Sequence, residues 1–250
     1  MRNYKNFEQV WNWKSIQRKY DALMNKAYIN SCKRLVEDSF LYQTEEYKLL
    51  DVGAGSGLVF RHIADTIKEK FEYTGIDLNT DGLSRIYKRA EGKNNLSKIE
   101  TIQNNICLYE KAFEKKFNKI YSNFCLYTIK DQDSRLNALK NIKKYLKPGG
   151  SFHISVPSEY YSATNIAIQC LKDELADSQN ILYKAARSSI LVPYQWKFVL
   201  KPIEAQINNG KFIRFNQNMI RDEFFSADLS ISKLSLDYGF CGYHIHGIIK

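Results

Sequence analysis

The most chemically informative part of the sequence is a turn with three glycines that follows an apolar segment. It comprises Asp51-Val52-Gly53-Ala54-Gly55-Ser56-Gly57. Glycine lets a backbone turn sharply and approach a ligand without Cβ clashes, and a helix after the turn would direct free N–H groups at that ligand. Dinucleotide-binding turns place a small residue where this chain has Leu58, which disfavours NAD or FAD. Since no Lys-Ser/Thr pair follows the glycines, a phosphate-binding P-loop is excluded.

A carboxylate follows the next apolar segment. Asp77 ends Gly75-Ile76-Asp77, about 20 residues after the glycine turn. An acid at that separation accepts hydrogen bonds from the hydroxyls of a ribose. Alone, Asp77 is more simply explained as a turn or helix-cap residue. Together with the turn at 51–57, it favours ribose binding.

Other residue types that do chemistry form no comparable pattern. The five cysteines include no C-x-x-C pair and are expected to be small buried side chains. His244 and His246 would share one face of a strand. No third ligand accompanies them, so no metal site is predicted. We expect His62 and His153 to be structural.

The elements that must position these residues follow from the apolar pattern. Segments predicted as strands are 47–52, 73–77, 99–102, 119–124 and 151–156, and the charged, helix-period segments between them include 59–71, 82–91 and 134–146. This alternation is typical of βαβ units, whose parallel strands form a doubly wound α/β sheet with helices on both faces. Ligands of such sheets bind at the carboxyl ends of the strands, where the glycine turn and Asp77 would lie.

These motifs together resemble the class I S-adenosylmethionine-dependent methyltransferases, from about Tyr47 through Gly150. The glycine turn and Asp77 match the family's cofactor motifs. Phe117-Asn118-Lys119-Ile120-Tyr121-Ser122-Asn123 matches its fourth strand, and Tyr145-Leu146-Lys147-Pro148-Gly149-Gly150 matches the end of the following helix. The resemblance implies a Rossmann-like methyltransferase sheet that binds S-adenosylmethionine and releases S-adenosylhomocysteine.

The resemblance also implies roles for single residues around the ribose. The backbone at Gly53, Ala54, Gly55 and Gly57 would pass under the methionine and ribose of the cofactor. Asp51 would orient this turn or contact the cofactor's amino group, and Asp77 would bind the ribose.

Further roles are implied at the two ends of the cofactor. Leu78 and Ile106 would enclose the adenine. Asn105 stands where the family often has an acid for the adenine amino group, and an amide makes that contact too. Asn123 and Phe124 would touch the methionine portion, with packing at the strand end as the alternative.

Four regions are predicted along the chain. These are an N-terminal helical cap (1–45), a cofactor-binding core (46–157), a helical lid inserted after the fifth strand (158–221), and a C-terminal helix and strand that complete the sheet (222–250). The last helix is predicted to start at Phe225-Ser226-Ala227-Asp228-Leu229. Cap and lid would cover the substrate cleft and exclude water. Tyr20 in the cap is a candidate cofactor contact, with helix packing as the alternative.

No motif identifies the group that accepts the methyl. Segment 122–127 lacks the Asn/Asp-Pro-Pro-aromatic turn of enzymes that act on base amines or glutamine, and small-molecule methyltransferases, including the juvenile-hormone-acid type, are similar over 121–150. A carboxylate nucleophile needs no base, whereas a hydroxyl or a protonated amine does. By their position in the chain, the candidates for such a base are Tyr127, Glu159, Tyr160 and Tyr161. For each of them, packing or surface exposure is the alternative explanation.

Composition limits the remaining choices. The 250 residues are 44% hydrophobic and 26% charged, as in a globular protein with one sizeable core. The net charge is +10, and residues 1–36 hold eight basic and two acidic side chains. No apolar run is long enough to cross a bilayer and no signal-peptide core opens the chain, so a cytoplasmic location is expected.

Three functions follow as hypotheses. We favour a methyltransferase acting on an O or N nucleophile of a small molecule, a metabolite or natural product. The basic N-terminal segment instead suits an RNA or protein methyltransferase. A non-catalytic protein that binds S-adenosylmethionine is the third. The sequence indicates no oligomeric state.

Overall fold

The structure is a computed structural model that describes residues 24–39, 47–176, 184–185 and 187–249. These residues build one seven-stranded sheet in the order β3-β2-β1-β4-β5-β7-β6. The strands are β1 (Tyr47–Val52), β2 (Phe71–Asp77), β3 (Leu96–Gln103), β4 (Phe117–Asn123), β5 (Leu146–Pro157), β6 (Ile231–Asp237) and β7 (Gly242–Ile248). β1 to β5 pair in parallel, whereas β7 is antiparallel to both β5 and β6.

Helices cover both faces of this sheet. They are α1 (Lys26–Glu37), α2 (Leu58–Thr66), α3 (Thr80–Ala90), α4 (Gln132–Tyr145), α5 (Ala163–Ala176) and α7 (Gln217–Ser226), and α6 is the succession of Arg187–Leu191, Val192–Gln195, Trp196–Leu200 and Lys201–Asn208. Asn25, Asn79, Asp131 and Asn216 accept backbone N–H groups at the first turns of α1, α3, α4 and α7. Short polar side chains are the preferred helix N-caps, which explains these starting points.

Two apolar cores form because side chains alternate across a strand. Neighbours Leu49 and Leu50 in β1 belong to opposite cores. One core lies under α2 and α3 and includes Phe60 and Ile86. The other includes Phe224 of α7. The sheet is thereby buried on both faces, as parallel strands require.

The predicted α/β sheet is confirmed, including all five strands from β1 to β5 and the helices between them. Element ends differ by a few residues, because strand ends are set by pairing with neighbours. For example, β3 starts at Leu96 through its pairing with Phe71.

The predicted C-terminal elements need correction. Segment 225–229 ends a helix rather than starting one, because Asn216 caps α7 nine residues earlier through the Met219 N–H. The Ala227 N–H then closes the last turn, and Asp228 has a left-handed φ of 56°. α7 therefore crosses the predicted boundary between 221 and 222, and two strands rather than one complete the sheet.

The inserted segment contains α5 and α6, as its helical pattern predicts. Ile166, Ala167 and Cys170 of α5 are buried in the apolar core. Its role as a lid stays a prediction. Among the described residues, no helix has the length and apolar character needed to span a membrane.

Candidate cofactor and active site

A cavity of about 430 Å³ opens at the carboxyl ends of β1, β2 and β4. This volume falls within the range of small-ligand sites. Its lining combines the glycine turn, the ends of the strands and the start of α1, namely Met24, Tyr28, Val52, Gly53, Ala54, Gly55, Ser56, Leu58, Ile76, Asp77, Leu78, Asn79, Gly82, Arg85, Asn104, Asn105, Ile106, Cys107, Asn123, Phe124, Cys125, Tyr127, Thr128, Ile129, Lys130, Asp131 and Ser134.

The glycine turn forms one wall of this cavity. Gly53 has a φ of +73°, and its N–H donates to the carbonyl of Ile76 at 2.9 Å. A Cβ on Gly53 would lie 2.5 Å from the Cβ of Cys125, so a side chain cannot be accommodated. Gly55, with a φ of +52°, has open space around it instead. Glycine at 53 thus brings β1 and β4 together, and glycine at 55 keeps backbone exposed to a ligand.

Gly57 lies outside the cavity lining but fixes the next element. It has a φ of +85° and directly precedes α2, so it turns the chain into the helix.

The Asp77 carboxylate is fixed at the edge of the turn. One oxygen accepts from the Gly55 N–H at 2.8 Å, and the other accepts from the Asn79 N–H at 2.9 Å. Burial raises the pKa of Asp77, while these backbone N–H groups act in the opposite direction. Because each carboxylate oxygen has two lone pairs, both remain able to accept from ligand hydroxyls.

Asp51 lies beneath the turn and is 1% exposed. One of its oxygens accepts from the Tyr73 hydroxyl at 2.7 Å, and the other is buried without a hydrogen-bond partner. Burial raises the pKa of Asp51 to about 7. Asp51 is not among the residues that line the cavity, and a cationic amino group bound above the turn would act on it only from a distance, by stabilising its ionised form.

The opposite end of the cavity suits a flat, weakly polar group. Leu78 and Ile106 line it, as do Asn104 and Asn105. The Oδ1 atom of Asn105 accepts from the Cys107 N–H at 3.0 Å, which orders the loop after β3. The amide keeps two ways to meet an adenine, with Nδ2 as donor to a ring nitrogen or with the second lone pair of Oδ1 as acceptor from the amino group.

The end of β4 and α1 form the third part of the site. Asn123 and Phe124 line the cavity, and Phe124 has a left-handed φ of 49°. Tyr28 and Met24 face them from the start of α1. Tyr28 falls within the predicted helical cap but was not predicted as a site residue, because nothing in its spacing shows that this helix packs beside the β4 end.

The candidate catalytic residues separate into two groups. Tyr127 lines the cavity, and its ring packs edge-on against Phe212 at 5.0 Å. The cavity lining does not include Glu159, Tyr160 or Tyr161. Tyr160 is 58% exposed, and Tyr161 is buried in the core. After β5, Ser158 forms a parallel bridge with Phe215, and a catalytic role for these three residues stays a prediction.

Tyr20, the remaining candidate, lies outside the described residues, as does most of the basic N-terminal segment.

Comparison with known proteins places this geometry in a family. Residues 24–194 match the model of a methyltransferase domain. YrhH of Bacillus subtilis (strain 168), named as a methyltransferase, is 28% identical over 178 residues, which cover 70% of this chain and 89% of that protein.

Solved structures share the fold. The 1,6-didemethyltoxoflavin-N1-methyltransferase of Burkholderia thailandensis, solved with 1,6-didemethyltoxoflavin and S-adenosylhomocysteine, matches with a TM-score of 0.62 and 13% identity over 99% of this chain and 89% of its own. A SAM-dependent methyltransferase from Aquifex aeolicus matches with a TM-score of 0.58 and 13% identity over 94% of this chain and 98% of its own.

The family match covers more than half of the chain, and the strand order, the glycine turn and the acid after β2 agree with it. The chain therefore belongs to the methyltransferase domain family, as an enzyme with the fold of the class I S-adenosylmethionine-dependent methyltransferases.

Proposed function

We propose that this enzyme transfers a methyl group from S-adenosylmethionine to an O or N nucleophile of a small molecule. The observation that carries the proposal is that the glycine turn and Asp77 adjoin an apolar wall in one cavity of about 430 Å³. That wall includes Met24, Tyr28 and Phe124. It suits an apolar or aromatic acceptor beside a cofactor.

We assign S-adenosylmethionine to this cavity because residues in and beneath its wall suit the separate parts of that molecule. The Asp77 carboxylate suits the ribose hydroxyls, and the turn 53–57 suits the part of the cofactor between ribose and methionine. Leu78 and Ile106 suit the adenine, and Asp51, buried beneath the turn and outside the cavity lining, suits the positive amino group through its charge. Asn105 is the proposed amide contact to the adenine.

Charge around the cavity favours a small acceptor over RNA. Among the described lining residues, Arg85 and Lys130 are balanced by Asp77 and Asp131. A groove for a polyanion needs a clear excess of basic side chains. The structural neighbour from Burkholderia thailandensis is named as an N1-methyltransferase of 1,6-didemethyltoxoflavin, which supports a small-molecule acceptor.

Methyl transfer requires mainly that the nucleophile is aligned with the methyl group and that water is excluded. The cofactor supplies an electrophilic methyl group when it is bound. Phe124 and the start of α1 cover the β4 end, where the nucleophile must approach. Of the four candidates, Tyr127 lines the cavity, and we assign it the role of holding a proton of the acceptor if that acceptor is a hydroxyl or a protonated amine. An acceptor carboxylate would need no such group.

We include two further features in the proposal. Helices α5 and α6 act as a lid beside the cavity, supported by Gln195 of α6, whose Nε2 donates to the carbonyl of the lining residue Met24 at 3.3 Å. The enzyme works in a reducing compartment, the cytoplasm, which its five free cysteines support.

A methyl-transfer assay tests the proposal. The protein is incubated with S-adenosylmethionine labelled on its methyl group and with a cell extract separated by size into small molecules, RNA and protein. The proposal predicts label in the small-molecule fraction. Label confined to RNA or protein would contradict it in favour of the second hypothesis, and cofactor binding without transfer to any fraction would favour the non-catalytic one.

A further inference from the structure

Helix α6 carries apolar side chains on its outer side as well as on its inner side. Val192 and Leu200 are buried against the rest of the molecule. Ile190, Tyr194 and Phe198 are 71%, 41% and 54% exposed, and the ring centroids of Tyr194 and Phe198 lie 4.5 Å apart. We call Ile190, Tyr194 and Phe198 the α6 stripe. A surface helix normally places polar side chains outward, so the stripe marks an interaction surface.

Positive charge accompanies the α6 stripe. Lys197 is exposed, and its Nζ lies 5.3 Å from the centroid of the Phe198 ring. Lys172 is exposed on α5, which lies beside α6, where Glu174 of α5 pairs with Arg187 of α6 at 2.8 Å. In the part of the chain that the structure describes, neither lysine forms a salt bridge.

The acidic side chains of α5 and α6 are held by other groups of the protein. Each accepts hydrogen bonds from amide side chains or pairs with a basic one, namely Asp173 with Asn30 and Gln169, Glu174 with Arg187, and Glu204 with Lys201. The charges that these two helices leave for a partner are therefore positive.

An apolar stripe beside unpaired lysines selects among partners. A second copy of the chain, bound through the same face, would place the same lysines opposite each other. Residues 1–23 hold five basic and two acidic side chains, so this segment has the same sign of charge as the lysines. RNA supplies negative charge but no apolar layer for the stripe, whereas the surface of an anionic membrane supplies both.

We propose that α6 docks on an anionic membrane surface, with the α6 stripe inserted among the lipids and Lys172 and Lys197 at their phosphate groups. Such helices bury their apolar side chains about 5–10 Å deep, at the boundary between headgroups and acyl chains. This inference goes beyond the proposed function and does not depend on it. On the inner side of α6, Gln195 donates to the carbonyl of Met24 in the cavity wall, so the membrane would lie one helix away from the cavity.

Flotation of the full-length protein with lipid vesicles tests the inference. One set of vesicles is phosphatidylcholine alone, and the other contains phosphatidylcholine and phosphatidylglycerol in equal parts. We expect the protein to float with the anionic vesicles and to remain in the dense fraction with the neutral ones, because a short apolar stripe needs the added attraction of charge. Added salt should weaken the binding, since salt screens the lysines.

One variant tests the apolar part of the surface. Ile190→Ser combined with Phe198→Ser removes two exposed apolar side chains, so partitioning onto the anionic vesicles should fall about tenfold or more. Phe225→Ser is the matched control, because Phe225 is an exposed aromatic residue at the end of α7, outside the α6 stripe. This control should bind vesicles as the wild type does.

A second variant tests the charged part. Lys172→Glu combined with Lys197→Glu should also lower partitioning onto the anionic vesicles about tenfold or more. Its control is Lys88→Glu combined with Lys140→Glu, which changes the net charge equally at exposed positions of α3 and α4. The control should lose much less, because these lysines lie outside α5 and α6.

Each outcome supports or overturns the inference. No flotation of the wild type, or equal flotation with neutral and anionic vesicles, would overturn it. Unchanged flotation of the Ile190→Ser and Phe198→Ser variant would assign the binding to another surface, and a wild-type dimer that this variant dissociates would assign the stripe to a second copy. Because no cofactor or acceptor takes part, these results are independent of the proposed function.

Discussion

Asp77 connects the ends of two strands, because its two oxygens accept from Gly55 in the turn after β1 and from Asn79 after β2. Removal of this carboxylate would leave the Gly55 N–H without its partner, and it would remove the proposed ribose acceptor. The side chain therefore has a structural and a binding role at the same site.

We expect Asp77→Ala to weaken binding of S-adenosylhomocysteine by about 1–3 kcal/mol, the cost of leaving buried polar groups unpaired. Asp77→Asn, which keeps one acceptor oxygen, should lie between this variant and the wild type. Asp133→Ala removes an exposed acid at the start of α4 and serves as the control. Calorimetric affinity of Asp77→Ala equal to that of the wild type would refute the ribose assignment.

At this scale, the sequence predicted residues whose chemistry depends on local spacing. Asp77 and the glycines at 53 and 55 were predicted to lie together because a turn and an acid at a set separation need no tertiary information, and the structure brings them to one cavity. Tyr28 was missed as a site residue, because its place in the cavity depends on how α1 packs against β4.

A buried ion pair joins the helices α4 and α7. Arg135 and Glu223 are 3% and 4% exposed, and Arg135 Nη2 lies 2.5 Å from Glu223 Oε1. Arg135 also donates to the carbonyls of Ile129 and Lys130, both at 2.8 Å, in the cavity-lining segment. The pair thereby links the packing of two helices to the shape of the cavity.

Glu223→Gln should lower the free energy of unfolding by about 3–5 kcal/mol, because it leaves the Arg135 charge buried and unpaired. Replacing both side chains, in Arg135→Met with Glu223→Leu, should cost less than the sum of Arg135→Met and Glu223→Leu measured singly. Denaturant unfolding gives these values.

Lys143→Ala is the matched control for the ion pair. Lys143 of α4 pairs with Asp228, two residues after the end of α7, but the Asp228 side chain is 86% exposed. The control should cost less than about 1 kcal/mol. A similar loss for Lys143→Ala and Glu223→Gln would show that burial does not set the strength of the Arg135 pair.

The strands and helices from β1 to β5 could be predicted from their apolar periodicity, whereas α7 and β6 could not. β1 to β5 are separated by charged helices, so each strand is visible in the pattern. β6 has only half-buried and exposed positions at the edge of the sheet, and this weak alternation hid it. The helix α7 was misplaced because Asn216 and Ser226 are both plausible caps, and only packing of Ile220 and Phe224 in the core decides between them.

Across the whole molecule, three buried histidines lie where α1 packs on β5 and β7. His153 and His246 place their Nδ1 atoms 2.7 Å apart, and His244 Nε2 lies 2.9 Å from the Ser31 hydroxyl of α1. Two neutral rings share one proton in the first contact, whereas two charged rings would place two protons between them. The folded state therefore favours the neutral histidines.

Stability should fall as the pH drops from about 6.5 to about 4. Burial lowers the pKa of His244 and of His246 to about 4, and that of His153 well below 6.5. In this range the unfolded chain binds protons that the folded protein does not, which costs about 1.4 kcal/mol per pH unit for each histidine. The pKa of Asp51 is raised to about 7, so in this range Asp51 holds a proton in the folded protein and not in the unfolded chain. This offsets the loss of stability caused by about one of the histidines.

Urea unfolding at pH 7.5, 6 and 5 measures this dependence. His244→Gln should make the decline less steep, since one of the titrating groups is removed. A free energy of unfolding that stays constant over this range would contradict the neutral histidine cluster.

The central claim is that the cavity at the carboxyl ends of β1, β2 and β4 binds S-adenosylmethionine. Calorimetric titration of the full-length protein with S-adenosylmethionine and S-adenosylhomocysteine, with NAD and ATP as controls, tests it most directly. We predict micromolar binding of the first two and no binding of the controls. A folded sample that binds neither S-adenosyl ligand, or that binds NAD or ATP as tightly, would contradict the claim.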